Sequence, residues 1–333
     1  MNILITGAAG FIGFHLAKAL GNTQNSIYCL DNLNNYYSTT LKLDRLSELG
    51  FNQIGITEET SILYENLHFC KIDINNLEEL RKFVTKKRID KIIHLAAQAG
   101  VRYSFENPSE YIKVNIGGFL NILELARENN IKHVIYASSS SVYGSNIEKR
   151  RLHEGDNTDN LLNIYAVSKK TNELMAKAYF NLYGIKSTGL RFFTVYGPWG
   201  RPDMAAYIFT KSILDGSVIK VLNNGNLERD FTYIDDIVTG ILNICFSNNA
   251  ELRDTYNIGS GNPVSIIDFI KTIEDETKIK ANLKFVSMNK GESKSTNANT
   301  SSIRDDFGYL AVTEIHEGIK SYIQWFREYY CKN

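Results

Sequence analysis

The 333-residue chain is short of the features that mark several large classes of protein. It has no charge of one sign to spend: 37 basic and 37 acidic residues balance, so there is no global pull toward nucleic acid or a membrane surface. It has few cysteines, and the four (Cys29, Cys70, Cys245, Cys331) form no CxxC pair. A disulfide framework is therefore not expected, and the cysteines read as small core fillers in a reduced setting. The six histidines show no metal-ligand spacing, so no metal site is expected. No apolar run approaches the roughly 20 residues of a membrane span. The opening MNILITG is strand-like rather than a basic stretch leading into a long apolar core, which fits a cytoplasmic protein without a signal peptide. Hydrophobic content of 43% and charged content of 22% are ordinary for a globular chain.

What is present is a repeated alternation. NILIT, SIYCLD, LHFCKID, KIIHLAA, KHVIYASS and KSTGLRFF are short, nearly continuous apolar runs, the pattern of parallel strands covered on both faces. Helical patterns lie between them, among them FIGFHLAKALG, GGFLNILELARENN and IYAVSKKTNELMAKAYFNLYG. The expected fold is α/β, a Rossmann-type doubly wound parallel sheet over residues 1–195. A smaller mixed α/β substrate domain over 196–333 follows, with interleaved boundaries. No internal repeat is visible.

The first run passes straight into Gly7-Ala8-Ala9-Gly10-Phe11-Ile12-Gly13, a GxxGxxG loop. Its glycines permit a tight turn and close approach to a pyrophosphate, and the helix that follows aims N–H groups at the phosphates. The second run ends at Asp31, within the usual offset of roughly 20 residues. A carboxylate there holds both ribose hydroxyls and repels a 2′-phosphate, which favours NAD over NADP. Asp73, ending the next run, reads either as a contact to the adenine edge or as a strand-end turn former.

Two further patterns carry chemistry. Tyr165-Ala166-Val167-Ser168-Lys169 is YxxxK, which on a helix puts the phenol and the ammonium on one face. A tyrosine titrates near 10. A neighbouring lysine and a positive nicotinamide ring both favour phenolate, making a base usable near neutrality. The run ASSSSVYG, Ala137 to Gly144, puts four serines after a buried strand.

Together the GxxGxxG loop, ASSSSVYG and YAVSK resemble the extended short-chain dehydrogenase/reductase superfamily. NLNNYYSTTLKLDRL, HLAAQAGVRYSFENP and RFFTVYGPWGRPDMA narrow the resemblance to the UDP-glucuronate 4-epimerase family of nucleotide-sugar epimerases. The resemblance makes Tyr165, Lys169 and Ser139 catalytic. It implies NAD held by Gly7, Gly10, Phe11, Ile12, Gly13, Asp31, Asn32, Asp73, Ile74, Tyr165 and Lys169. Similar dehydratases carry Asp and Glu in the two positions after the catalytic hydroxyl. This chain has Ser140 and Ser141, so elimination lacks its proton donor and epimerisation is favoured.

The implied substrate is a UDP-sugar, contacted by Arg102, Ser140, Ser141, Thr194, Arg201, Arg229 and Arg304, with Asn115 near the nucleotide sugar. Arg229 reads as a diphosphate clamp or a surface ion-pair partner. Arg201, Thr194 and Ser141 would meet a uronate carboxylate. The competing reading is a neutral hexose or N-acetylhexosamine substrate, with Arg201 paired to Asp203. Decarboxylation is a further alternative, because oxidation at carbon 4 makes a uronate prone to lose carbon dioxide. A cofactor-binding sensor could dispense with the YxxxK pair, which this chain keeps.

Where the family has a Gly-Asp-Val-Pro-like segment, this chain reads Gly291-Glu292-Ser293-Lys294. The basic stretch Lys149-Arg150-Arg151-Leu152-His153 reads as a solvated patch. The resemblance also implies a homodimer, through the GGFLNILELAREN helix and the helix bearing Tyr165, and a place in supplying activated sugar for polysaccharide. Ordinary packing of those helices on the sheet is the alternative.

Overall fold

The computed structural model describes residues 1–52, 58–145, 151–247, 249, 252–288, 291 and 293–331. Of the segments singled out above, Lys149, Arg150 and Glu292 lie outside the described residues. The chain divides into two compact units. The first comprises Met1–Val142, Asn163–Arg191 and Asn248–Tyr256; the second comprises Tyr143–Leu162, Phe192–Ser247 and Asn257–Asn333.

The first unit is built on an eight-stranded sheet, as the alternation of apolar runs implies. Its strands in chain order are β1 (Asn2–Thr6), β2 (Ser26–Asp31), β3 (Glu59–Thr60), β4 (Leu67–Lys71), β5 (Lys91–His94), β6 (His133–Ser139) and β7 (Lys186–Phe192), with Thr255–Ile258 as an edge strand. Across the sheet the order is Thr255–Ile258, β7, β6, β5, β1, β2, β4, β3. From β4 to β6 every neighbouring pair is parallel. The two-residue β3 runs antiparallel at the other edge. β1 is covered on both faces, with Ile3, Leu4 and Ile5 fully buried, which is why its sequence shows no polar alternation.

The chain leaves β1 toward β2 on one side and returns at β5 on the other. The sheet's topological switch therefore lies between β1 and β5, where doubly wound sheets bind ligands beyond the strands' carboxyl ends. The strand of the run LHFCKID is shorter than its apolar pattern. β4 stops at Lys71 because the Asp73 carboxylate accepts from the Asn75 N–H at 2.8 Å, closing a turn.

The helix pattern GGFLNILELARENN is realised in two parts: a π-helical stretch, Ile112–Gly118, then an α-helix, Phe119–Glu128. The long helix Ile164–Tyr183 starts where the Asn163 side chain accepts from the Ala166 N–H at 2.8 Å. It stops at Gly184, in the left-handed conformation.

The second unit packs the helices Ala205–Leu214, Ile234–Phe246, Ile266–Thr277 and Ile315–Tyr330 with three two-stranded ladders. Phe231 stacks on Phe269 at 3.9 Å between centroids. The buried Asp230 carboxylate accepts from the backbone N–H groups of Ser260, Gly261 and Ala298, tying three segments to one charge. Among the described residues no helix is long and apolar enough to cross a membrane.

Candidate active site

The glycine loop is held by its own backbone. Gly7 N–H donates to Leu30 O at 2.8 Å and Gly10 N–H to Gly7 O at 3.0 Å. Gly7 has φ +76°, and a Cβ on it would meet the Ala96 backbone N at 2.6 Å. A Cβ on Gly13 would sit 2.1 Å from Gly7 O, so helix Phe11–Gly21 can approach the strand end only with glycine there. The Phe11, Ile12 and Gly13 N–H groups head the helix, where no intrahelical acceptor reaches them, and form an anion-binding terminus.

Asp31, nearly buried at the end of β2, accepts from the Ala9 N–H at 3.1 Å and the Leu33 N–H at 2.8 Å. Its remaining lone pairs suit a ribose diol. Asn32 donates to Asp73 at 2.9 Å. Burial works to raise the Asp73 pKa, but hydrogen bonds from Asn32 and Asn75 outweigh it and hold the carboxyl below its ordinary value. Ile74 is buried next to it. These residues make a glycine loop, a strand-end acid and a turn closed on Asp73.

The serine-ended strand and the YxxxK helix meet in the same unit. Lys169 is buried, and its Nζ donates to Ala137 O at 2.7 Å, two residues before Ser139. Burial pushes the Lys169 pKa down to about 8. Ser139, also buried, accepts from the Ser141 N–H at 3.2 Å. Ser140 and Ser141 lie in the 3₁₀ turn Ser140–Tyr143, partly buried.

Ser138 faces the other way: its hydroxyl donates to Glu173 at 2.7 Å, and Glu173 is bound by Arg191 through Nε at 2.8 Å and Nη2 at 2.9 Å. This buried pair staples β6, β7 and the Tyr165 helix together. The edge of Tyr165 meets the Tyr111 ring at 6.1 Å between centroids.

Asn115 sits in the π-helical stretch with its side chain fully engaged. Its Oδ1 accepts from Gln98 N–H at 2.8 Å, and its Nδ2 donates to Gln98 O at 3.0 Å and to Ser168 Oγ at 2.9 Å. Ser168 in turn donates to Tyr165 O at 2.8 Å. The side chain braces the Tyr165 helix against the loop after β5.

The residues expected to contact substrate are more dispersed. Arg102 is exposed in the first unit. In the second, Thr194 opens the strand Thr194–Tyr196, its N–H donating to Asp230 O at 3.0 Å. Arg201 forms a two-pronged ion pair with Asp203, Nε to Oδ1 at 3.0 Å and Nη2 to Oδ2 at 2.5 Å. Arg229 donates to the carbonyls of Ser293 at 2.7 Å and Lys294 at 3.1 Å, tying that segment to its own strand. Arg304 is exposed and paired to Asp305 at 3.1 Å.

A model of the NAD dependent epimerase/dehydratase family matches residues 3–259. The chain belongs to that family. Protein CapI of Staphylococcus aureus is 43% identical over 348 residues, covering 100% of both chains. UDP-glucuronate 4-epimerase 4 of Arabidopsis thaliana is 41% identical over 99% of this chain and 76% of its own length. Among solved structures, the UDP-glucuronic acid 4-epimerase of Bacillus cereus, in complex with UDP-glucuronic acid and NAD, matches with a TM-score of 0.90. It is 31% identical, covering 99% of this chain and 100% of that one.

As an epimerase/dehydratase family member the protein is an enzyme, and its cofactor is NAD. Two cations of the helix Thr39–Glu48, which packs on the glycine loop through Arg45, escaped the sequence reading. Arg45, fully buried, donates from Nη1 to Ala9 O of the glycine loop at 2.8 Å and to Tyr37 Oη at 2.7 Å. Lys42 donates to Asn34 Oδ1 at 2.9 Å. Their signal was two cations three apart on the inward face of TTLKLDRLSE. His94 was missed too: it shares a 2.7 Å hydrogen bond with Thr6 at the sheet's switch point, and burial drives its pKa down to about 3, keeping it neutral. Among the described residues no group of His, Cys, Asp and Glu could hold a metal ion.

Proposed function

We propose that this family member is a UDP-sugar 4-epimerase whose substrate is a uronate, interconverting UDP-glucuronate and UDP-galacturonate through a transient 4-keto sugar. The observation that carries the reading is the 2.7 Å bond from Lys169 Nζ to Ala137 O. It seats the YxxxK face against the strand that ends in Ser139, with no carboxylic acid in the next two positions. The relatives named as UDP-glucuronate 4-epimerases, each matched over 99% of this chain, support the uronate.

NAD, when bound, supplies reversible hydride exchange with a sugar carbon. Phe11, Ile12 and Gly13 N–H groups bind its pyrophosphate, Asp31 and Asn32 the adenosine ribose, and Asp73 and Ile74 the adenine side. Tyr165 Oη takes the proton of the sugar's 4-hydroxyl and later returns it. The Lys169 ammonium, four residues on, favours the phenolate. Because Ser139 Oγ already accepts from the Ser141 N–H, its own proton is left to donate to the sugar's 4-oxygen. Ser140 and Ser141 offer hydroxyls of ordinary acidity, so water is not expelled and the keto sugar is reduced again. Arg201, with Thr194 and Ser141, holds the uronate carboxylate by a charge-assisted fork. Arg102, Ser140, Arg229 and Arg304 complete the nucleotide-sugar contacts.

Product analysis after incubation with UDP-glucuronate tests this. UDP-galacturonate is the expected product. A UDP-pentose with released carbon dioxide would identify a decarboxylase, and no turnover would sink the uronate reading. One observation favours a second reading, a neutral UDP-hexose substrate: Arg201 is already paired with Asp203. Arg201→Leu separates the two. If Arg201 binds carboxylate, kcat/KM for UDP-glucuronate falls about 100-fold, the scale of a lost charge-assisted bond, and neutral UDP-sugars are untouched. Equal losses on both mark a structural arginine.

A further inference from the structure

Two residues before Arg201 the backbone does something costly. Gly197-Pro198-Trp199-Gly200 is a tight turn closed by Gly200 N–H on Gly197 O at 3.1 Å. Proline fixes φ at its second position. The third position lies in the left-handed region, φ +60°, and is occupied by tryptophan. A turn of this kind ordinarily takes glycine or asparagine there, because a Cβ is crowded at positive φ. A bulky side chain persists in such a conformation only when its surroundings hold it.

The surroundings are on the C-terminal helix Ile315–Tyr330. Trp199 packs on Trp325 at 5.5 Å and on Tyr329 at 4.9 Å between centroids, and Trp325 stacks on Tyr329 at 5.6 Å. Trp325 is buried with its indole N–H unpartnered among the described residues, so ring packing rather than a polar contact holds it there. The turn has little other freedom: a Cβ on Gly197, which has φ +147°, would meet Ile234 Cγ2 at 2.5 Å. Beyond it the Met204 N–H donates to Arg201 O at 3.2 Å, continuing the ordered loop into helix Ala205–Leu214.

We infer that Trp199 is a positioning residue for Arg201: the aromatic grip of the C-terminal helix holds a strained turn that sets where the Arg201 guanidinium points, and so sets preference for a carboxylated sugar. This rests on the proposed uronate reading. Removing the indole frees the turn to relax, while nothing in the proton-transfer machinery changes.

The test compares wild type with Trp199→Ala and Trp199→Phe in the full-length enzyme, on UDP-glucuronate and on UDP-glucose. Trp199→Ala should raise KM for UDP-glucuronate about 10- to 100-fold with kcat within about threefold, the pattern of a misplaced binding group. KM for UDP-glucose should stay put, and Trp199→Phe should recover most of the loss. The chain has only two tryptophans, and they touch each other. The near-ultraviolet dichroism of the paired indoles should therefore fall in Trp199→Ala and weaken on any loosening of the turn.

If Trp199→Ala does not fold, Trp325→Leu removes the grip from the other side and is read the same way. An unchanged KM for UDP-glucuronate in a wild type that turns it over overturns this inference alone. So does a parallel loss on both sugars, which marks Trp199 as general support. A wild type that epimerises UDP-glucose but not UDP-glucuronate overturns the uronate reading, and this inference with it.

Discussion

Lys169 carries a charge into surroundings that oppose it. Burial lowers its pKa from 10.5 to about 8, so in the folded chain it binds its proton less tightly than in the unfolded one. Between pH 8 and 10.5 the unfolded chain holds a proton that the folded chain has released, and stability rises with pH across that window. Below pH 8 the full cost of the buried ammonium is present, about 3 kcal/mol for a shift of this size. Lys169→Met should therefore abolish turnover and yet raise the melting temperature of the cofactor-free chain at pH 7. The gain should shrink as the pH climbs toward 10.5, because only the wild type improves. Thermal unfolding of both proteins at pH 7 and pH 9.5 checks this. A Met variant less stable than wild type at pH 7 would show that the bond to Ala137 O outweighs the burial of charge.

The elements around that lysine were unequally legible in the sequence. β1 and β2 were readable to the residue, because most of their residues are buried and the turn-forming Gly7 and Asn32 follow directly. The start and stop of the Tyr165 helix were as clear, since Asn163 and Gly184 are local capping chemistry. The π-helical stretch Ile112–Gly118 was not, because nothing in IKVNIGG announces an extra residue in a turn. It exists through partners distant in sequence, Gln98 and Ser168, that no local pattern shows. The same holds for Trp199, whose left-handed backbone is set by residues more than a hundred positions away, and for Arg201, whose pairing with Asp203 sequence offers only as one of two alternatives.

The bracing role of Asn115 has a measurable consequence. Asn115→Ala leaves the buried Gln98 N–H without its acceptor and frees the helix from Ser168. The loss should be about 2–3 kcal/mol, seen as a lower urea midpoint with unchanged slope. The value of kcat should fall more than KM rises, because Tyr165 loses registry while the nucleotide contacts remain. A variant with wild-type stability would show the π-helical turn to be held by packing alone.

The helix that carries Tyr165 also bears on how the whole chain assembles. Its buried residues are Ala166, Ser168, Lys169, Asn172, Glu173 and Ala176, small or polar because the Lys169 bond to Ala137 O and the Glu173 ion pair with Arg191 occupy that face. Met175 and Tyr179 pack on the core, but other large apolar residues point outward: Leu174 is 60% exposed, Phe180 44%, Leu182 69% and Tyr183 53%. Leu120 on helix Phe119–Glu128 is 41% exposed. Exposed apolar side chains are covered by another surface or left in water, at about 25 cal/mol per Å² of apolar surface. We propose that a second copy of the same chain, presenting the same two helices, covers them through a two-fold axis. Sedimentation equilibrium of the wild type should thus give twice the chain mass. Leu174→Glu, which puts a charge among these exposed side chains, should shift the mass to that of one chain without altering the far-ultraviolet dichroism. A wild type that sediments as a single chain at tens of micromolar would mean that these side chains are exposed for some purpose other than pairing.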